Sequence, residues 1–139
     1  AGTVPYMMMA DLGAEVIKVE VPGVGDGSRT AGELRGEISS FFETNNRGVK
    51  SVTLDLKSAE GRKILHRLIE TADIFGQNFR PGAAEKNGFG YEELKKINPK
   101  LVYVSVSGYG QRGPHSGLPG TDAVGQALGG YKRGLRLAG

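Results

Sequence analysis

The sequence contains no cysteine in its 139 residues. Disulfide bonds, thiolate metal sites and cysteine nucleophiles are therefore excluded, which fits a protein from a reducing compartment. Histidine is almost as scarce, since His66 and His115 are the only two. Two histidines without a cysteine are too few for a typical zinc site. We therefore expect a protein that holds no metal.

Long apolar segments are missing too. No run approaches the roughly 20 residues of a membrane span, and the first residues lack the charged and then apolar pattern of a signal peptide. The net charge is only +3, and the basic residues are scattered among acidic ones. Such a chain has no basic face for nucleic acid, although a small anionic ligand stays compatible with it. These patterns predict a soluble, cytoplasmic protein that binds neither membranes nor nucleic acids.

Glycine is the residue that stands out. Its 23 copies cluster at residues 23–36, 76–90 and 108–139, while 38% hydrophobic and 24% charged residues are ordinary for a globular protein. The clusters indicate loops in which the backbone turns sharply or approaches a ligand closely. The length suits one domain with a genuine core.

Segments with strand and helix periodicity alternate along the chain. Residues 51–56 place apolar and polar side chains on opposite sides, which is typical of a strand, and residues 59–71 repeat apolar residues at helical spacing. Pro5 suits a first helical position, and residues 22–36 form a connection rich in turn formers. We predict helices over residues 6–12, 59–71, 83–87 and 91–97, and strands over 15–21, 51–56, 73–76 and 101–107.

Strands separated by helices of this length indicate parallel pairing through crossover connections. The predicted fold is α/β, an open parallel Rossmann-like sheet with helices on both faces. Ligands of such sheets bind where the strands end at their carboxyl side. Here those positions are the loops that start near Val21, Leu56, Gln77 and Ser107.

The loop after residues 73–76 carries an unusual set of groups, in the stretch DIFGQNFRPGAAEKNGFG. Asn78 can hydrogen-bond a planar ring, the edge of Phe79 can flank that ring, and Arg80 or Lys86 can meet phosphate oxygens. A turn in which Phe79 is buried and Arg80 pairs with a surface acid explains the same residues. The local pattern leaves both readings open.

Three further positions have two readings each. Gly108–Gly113, GYGQRG, matches the G-x-G-x-x-G pattern of dinucleotide-binding loops, but prolines and glycines follow where a helix should begin. Lys57 lies between a strand and a helix, so it either meets a phosphate at the helix N-terminus or is a solvated surface lysine. Thr121 or Asp122 suits a helix cap, and Asp122 is also the one carboxylate between a glycine loop and a predicted helix.

Four blocks of the sequence together resemble the class III CoA-transferases, the family of formyl-CoA transferase and carnitine CoA-transferase. In family order they are MMMADLGAEVIKVEVPGVGD, NNRGVKSVTLDLKSAEGRKIL, ADIFGQNFRPGAAEKNGFGYEELKKINPKLVYVSVSGYGQRGP and PGTDAVGQALGG. The resemblance identifies residues 1–130 as an incomplete CoA-binding α/β domain. Residues 131–139 do not resemble the continuation of the family and are predicted to be a foreign tail.

The resemblance implies that the loops at the strand ends bind coenzyme A as ligand. Formyl-CoA transferase has an arginine after the IKVE block that helps to hold CoA, whereas this chain has Val21, so that contact is lost or supplied by Arg29. The implied ligand residues lie near the adenine and phosphates, along the nucleotide, or at basic positions. They are, in that order, Leu54 and Lys57, Asn78 and Phe79, and Arg80 and Lys86.

The family's chemistry uses an aspartate that attacks the acyl-CoA thioester, giving a mixed anhydride and then an aspartyl-CoA thioester before an acceptor carboxylate enters. The implied partners are an acyl-CoA and a small carboxylic acid, and the implied assembly is a homodimer. That nucleophile lies a few dozen residues beyond the PGTD block, so we expect this chain to lack it and to be inactive alone. Asp122 corresponds to an acidic active-site position that supports the chemistry.

Two alternatives to a transferase remain. Related racemases have a catalytic histidine at the position of Thr121, so a racemase mechanism is disfavoured because no imidazole is present to move a proton. A non-catalytic module that binds CoA or another nucleotide is one alternative. A dinucleotide-binding domain that uses Gly108–Gly113 is the other.

Overall fold

The computed structural model describes residues 2–130, so the predicted tail at 131–139 lies outside the described residues, as does the side chain of Asp122. Strands and helices alternate along most of this length. The helices are α1 (Thr3–Asp11), α2 (Ser40–Asn46), α3 (Ala59–Ile69), α4 (Ala83–Lys86), α5 (Tyr91–Ile97) and α6 (Asp122–Leu128). The strands are β1 (Ile17–Glu20), β2 (Leu34–Arg35), β3 (Ile38–Ser39), β4 (Lys50–Thr53), β5 (Ile74–Gln77) and β6 (Val102–Ser105).

The longer strands pair in parallel. β1 pairs with β4, and β5 pairs with β6, in each case through a connection that contains helices. β2 and β3 form a small antiparallel hairpin instead. Within residues 2–130 the two parallel pairs are separate hydrogen-bonded ladders. The predicted α/β class with parallel strands is therefore confirmed.

Helices cover both faces of the β5–β6 pair. On one face Phe75 packs edge-on against Phe89, which follows α4, with ring centroids 6.5 Å apart. On the other face α1 crosses β5, so that a Cβ atom added at Gly76 would lie 1.5 Å from the Tyr6 hydroxyl oxygen. Neighbouring strand residues point to opposite faces, so this pair of contacts places helices on both sides as predicted.

Helix α3 forms for reasons visible in its sequence. The Ser58 hydroxyl accepts a hydrogen bond from the Gly61 amide at 2.9 Å and so caps the helix, as predicted. Leu65 and Ile69 fall on the buried face, one turn apart. Gly61 is required because a Cβ atom there would lie 2.0 Å from the Asp55 carbonyl oxygen. The helix is thereby held tightly against the loop that follows β4.

One apolar core joins α3, α4 and α5 to the β5–β6 pair. Phe75 and Tyr103 of the two strands pack against it. Complete burial of a side chain such as Phe89 or Leu94 stabilises the fold by about 1.5–3 kcal/mol. The buried members are Leu65, Ile69, Ala84, Phe89, Leu94 and Leu101. This core fixes the loops that leave β4 and β5.

Element boundaries differ from the prediction in two places. Helix α1 begins at Thr3, so Pro5 lies within its first turn, where a missing amide donor costs no helical hydrogen bond. The β2–β3 hairpin and α2 occupy a region with no predicted element. The strands of the hairpin are two residues long, which is too short for an alternating pattern to show.

Candidate functional site

The loop after β5 is shaped by Gln77, a residue that the sequence analysis did not single out. Its side-chain amide donates to the Ser105 hydroxyl of β6 at 2.9 Å, and its Oε1 accepts from the Phe79 amide at 2.6 Å. Gln77 thus ties the ends of two strands together and turns the backbone at Asn78. A polar residue at a strand end, two positions before an aromatic one, was the available signal.

Phe79 is neither fully buried nor free. Its ring centroid lies 5.4 Å from that of Phe89, which is 1% exposed, yet Phe79 itself is 43% exposed. One side of the ring therefore rests on the core, and the rest faces solvent. Of the two readings of this loop, the buried Phe79 does not occur, and a half-supported aromatic surface is present.

A tight turn carries the chain from Phe79 into α4. The Arg80 carbonyl accepts from the Ala83 amide at 3.0 Å, and Gly82 has the left-handed φ of 82° that the turn needs. The side chains of Arg80 and Lys86, at the two ends of this short segment, are exposed. Neither forms an ion pair with an acid of the described residues, so Arg80 does not pair with a surface carboxylate.

The loop after β4 holds Leu54 and Lys57 in different environments. Leu54 is only 8% exposed, so it offers a ligand little beyond its backbone. Lys57 is exposed, and its amide donates to the Asp55 carboxylate at 3.0 Å, which closes a turn before α3. The Lys57 side chain makes no ion pair within residues 2–130.

Helix α3 connects these two loops. The Arg62 guanidinium donates to the Lys57 carbonyl at 2.6 Å, and its Cδ would lie 3.5 Å from a Cβ atom placed on Gly88. One turn later, a ring nitrogen of His66 lies 2.9 Å from the Gly88 carbonyl oxygen. Gly88 precedes Phe89, on which Phe79 rests. Arg62 and His66 therefore position the Lys57 loop beside the Phe79 loop, a role the sequence did not reveal.

The loop after β1 contains a cluster of paired charges, here called the Glu20 cluster (Lys18, Glu20, Asp26, Arg29 and Ser51). The Glu20 side chain is 2% exposed and receives hydrogen bonds from Arg29 at 2.7 and 2.8 Å. The Ser51 hydroxyl and the Asp26 amide each donate to it at 2.7 Å. These donors satisfy a carboxylate that would otherwise be costly to bury.

The same contacts perturb the acid pKa values. Hydrogen bonds from Arg29 lower the pKa of Glu20 to about 2, against the opposing effect of burial. Burial raises the pKa of Asp26, but hydrogen bonds from Lys18 and Ser28 outweigh it and bring the pKa to about 2. Both groups are therefore carboxylates throughout the physiological range.

Arg29 is occupied by this cluster. Besides Glu20, its guanidinium lies 4.0 Å from the centre of the Phe42 ring, a stacking contact that favours a cation. Val21, at the position of the family's arginine, is exposed. An Arg29 contact with a ligand would have to share a guanidinium that already binds Glu20 in two places.

The glycine loop at residues 108–120 closes on itself. A Cβ atom on Gly108 would lie 2.4 Å from the Gly120 Cα, so only glycine allows the two backbones to meet. Residues 108–121 contain no helix, and α6 begins only at Asp122. The helix N-terminus that a dinucleotide-binding loop needs is therefore missing from Gly108–Gly113. The Thr121 side chain makes no capping hydrogen bond.

Two other features of the described residues complete the survey. An open depression on the outer side of α3 is lined by Ile64, Arg67, Leu68 and Glu70, none of which is a candidate site residue. No group of three or more histidine and acidic side chains within residues 2–130 is arranged to hold a metal ion. In the same range no helix is both long and apolar enough to cross a membrane.

Comparison with known proteins gives a consistent result. The model of CoA-transferase family III matches residues 1–134. The chain is 46% identical over 123 residues to acetyl-CoA:oxalate CoA-transferase of Acetobacter aceti, covering 88% of this chain and 32% of that protein. It is 44% identical over 131 residues to human succinyl-CoA:glutarate CoA-transferase, covering 94% of this chain and 30% of that protein.

Solved structures agree. The orthorhombic crystal form of Rv3272 from M. tuberculosis matches with a TM-score of 0.88 and 42% identity, over 94% of this chain and 37% of that one. A CAIB/BAIF family protein from Brucella suis matches with a TM-score of 0.87 and 42% identity, over 94% of this chain and 35% of that one. The chain spans about a third of the length of these relatives. The chain belongs to CoA-transferase family III.

Proposed function

We propose that the loops after β4 and β5 bind coenzyme A, as part of a protein that moves CoA between an acyl-CoA and a small carboxylic acid. One observation carries this proposal. Lys57, Arg80 and Lys86 are exposed cations that make no ion pair within residues 2–130. The contacts of Arg62 and His66 bring their loops together. Unpaired cations around a supported aromatic ring suit a phosphorylated adenosine.

The groups of CoA suit these residues one by one. The 3′-phosphate and the diphosphate are the anionic parts of CoA, and the three cations would neutralise them. The exposed edge of Phe79 would flank the adenine, with Asn78 as a hydrogen-bonding neighbour. Leu54, being buried, would contribute through its backbone and by packing behind the base.

The chemistry is proposed from family membership. An aspartate would attack the thioester carbonyl and release the CoA thiolate, leaving a mixed anhydride on the enzyme. CoA would then re-enter, and the acceptor carboxylate would take up the CoA in the last steps. We propose that this nucleophile is not within residues 1–139, and that Asp122 supports the chemistry. The 139 residues by themselves would therefore bind CoA without transferring it.

A homodimer and a cytoplasmic location are proposed as well. Apolar side chains on the outer side of α1 support self-association, because Val4, Met8 and Leu12 lie one turn apart and are all exposed. Phe41 of the adjacent α2 is also exposed. Light scattering across a dilution series tests the assembly, and a monomeric mass at every concentration would contradict it.

Calorimetry with three ligands tests the binding proposal. CoA should bind, 3′-dephospho-CoA should bind roughly tenfold more weakly because one charge-assisted contact is lost, and NAD should bind weakest. Equal affinity for CoA and 3′-dephospho-CoA would contradict a role for the cations in holding the 3′-phosphate. A preference for NAD would favour the dinucleotide-binding alternative.

A trapping experiment tests the proposed location of the nucleophile. The 139-residue chain is incubated with acyl-CoA and then with hydroxylamine, which converts an aspartyl anhydride or thioester into a hydroxamate. Mass spectrometry should find no modified aspartate. A hydroxamate on any aspartate of the chain would contradict the proposal. CoA binding by the complete protein without transfer to any carboxylic acid would favour the non-catalytic module.

A further inference from the structure

Helix α1 brings a tyrosine to the face of β5 that is turned away from the apolar core. The first turn of α1 lies at the end of β6, since a Cβ atom on Gly2 would be 3.7 Å from the Val106 side chain. The Tyr6 ring then lies across β5 at Gly76, where any side chain would collide with it. Gly76 therefore makes room for a phenol next to the carboxyl end of the strand.

The Tyr6 hydroxyl is available to a ligand. It takes part in no hydrogen bond among residues 2–130, and every fully buried polar side-chain atom in that range has a partner. The hydroxyl must therefore reach solvent, although the ring is half-buried. Burial raises the pKa of Tyr6, which keeps the phenol protonated and able to donate. By contrast, the Tyr103 hydroxyl donates to the Phe89 carbonyl at 3.1 Å.

The alternation of side chains places Tyr6 and Phe79 on different sides of β5. The ladder to β6 continues past the strand end, because the Val106 amide donates to the Gln77 carbonyl at 2.9 Å. Asn78, two residues after Gly76, therefore follows on the Tyr6 side. Phe79 packs against Phe89 on the other side, where α3 presents the Lys57 loop. The carboxyl end of β5 thus separates a cationic side from a side with a neutral donor.

We propose that Tyr6 donates a hydrogen bond to an oxygen of the pantetheine arm of CoA, at one of its amides or at the thioester carbonyl. This inference rests on the proposed function. The phosphates and adenine belong on the side of Lys57 and Phe79, where the cations and the ring are. The remainder of the ligand then passes over the strand end to the side of α1. Uncharged carbonyl oxygens suit a neutral phenol, whereas phosphates suit the cations.

The Tyr6→Phe variant of the full chain tests this inference, because it removes only the hydroxyl. Binding is measured by calorimetry with CoA and with adenosine 3′,5′-bisphosphate, which keeps the adenine and the 3′-phosphate but has no pantetheine. We expect CoA to bind roughly three- to tenfold more weakly and the bisphosphate to bind unchanged. The melting temperature should stay the same, since the hydroxyl has no partner within residues 2–130.

Tyr91→Phe is the matched control, because Tyr91 is an exposed tyrosine at the start of α5 whose ring packs on Tyr103. This variant should bind both ligands like the wild type. Unchanged CoA affinity in Tyr6→Phe, or an equal loss for both ligands, would overturn the role of Tyr6 while leaving the proposed function intact. Failure of the wild type to bind either ligand would overturn the proposed function and this inference with it.

Discussion

The loop after β1 and the loops after β4 and β5 treat charge in opposite ways. In the Glu20 cluster each acid has a cationic partner: Arg29 binds Glu20, and Lys18 binds Asp26. Around Phe79, by contrast, Lys57, Arg80 and Lys86 have no acidic partner within residues 2–130. Both regions lie at the carboxyl ends of parallel strands. Position in the fold therefore does not explain the difference.

The difference separates structural from ligand-directed charge. A paired and nearly buried cluster fixes the backbone, because each donor is already used and moving any member leaves a buried charge alone. Exposed unpaired cations add little to the stability of the fold, since surface charges are screened by water and salt. Substitutions in the first region should therefore change stability, and substitutions in the second should change ligand affinity.

The largest effect is expected for Arg29→Ala. It removes both hydrogen bonds to a Glu20 carboxylate that is 2% exposed, and also the contact with Phe42. The free energy of unfolding, measured by urea denaturation at pH 7, should fall by about 2–3 kcal/mol. Part of the Arg29 side chain is exposed, which keeps the loss below that of a fully buried pair.

Lys63→Ala provides the control for that measurement. Lys63 pairs with Glu60 on α3, but both side chains are at least 70% exposed. Such a pair contributes about 0.3–0.5 kcal/mol. If Arg29→Ala cost no more than Lys63→Ala, the Glu20 cluster would not stabilise the fold, and the contrast between the two regions would fail.

Acid should weaken the Glu20 cluster by a somewhat smaller amount. The pKa of Glu20 is about 2, below its ordinary value of 4.5, and the pKa of Asp26 is also about 2, below 3.8. A lowered pKa in the folded state gives stability that is present above the unfolded-state pKa and lost as the pH falls towards the folded-state value. Stability should hold from pH 7 to about pH 5 and then fall by about 2 kcal/mol on approaching pH 2.

The Glu20→Gln variant sharpens this pH experiment. An amide cannot lose its charge, so the acid-dependent loss should shrink to the part that comes from Asp26 and the other acids. Urea midpoints at pH 7, 4.5 and 2.5 give the comparison for both proteins. An equal fall in both would show that Glu20 does not carry the acid sensitivity.

The sequence predicted the regular part of the fold well, for physical reasons that differ between elements. Ser58 and the apolar spacing of residues 59–71 report on local structure, so the cap and helix α3 were correctly predicted. Helix α5 at Tyr91–Ile97 matches its prediction as well. The β2–β3 hairpin and α2 were not predicted, because they are short and depend on contacts with residues distant in the chain. Ser39 shows this, as its hydroxyl donates to the Ala31 carbonyl at 2.5 Å.

The candidate site was predictable in its residue types but not in its supports. Exposed Lys57, Phe79, Arg80 and Lys86 lie on strand-end loops, as the pattern of parallel strands indicated. The contacts that order these loops could not be predicted. Arg62 and His66 lie on a helix flank, where charged and aromatic residues are usually solvated. Only the fold shows that they meet carbonyl groups 5 and 22 residues away.

The smallest energetic effect is expected for Lys57→Gln, and it should appear only in the presence of ligand. Lys57 has no ion pair within residues 2–130, so urea denaturation should give an unchanged free energy of unfolding. CoA affinity should fall roughly three- to tenfold, which corresponds to about 0.7–1.4 kcal/mol. The reason is that one screened contact with a phosphate is lost at an exposed position, where salt and water already weaken it.

Lys63→Gln is the matched control for Lys57→Gln, because it removes the same charge from the same region and leaves the net charge of the two variants equal. Lys63 lies on α3 and already binds Glu60 at 2.8 Å, so CoA affinity should stay within about twofold of the wild type if long-range attraction is screened. Raising the salt concentration should narrow the gap between wild type and Lys57→Gln. An equal loss in both variants would mean that CoA responds to net charge alone. The unpaired cations would then not form a specific site, whereas a loss confined to Lys57→Gln ties the phosphate to the loop that Arg62 holds in place.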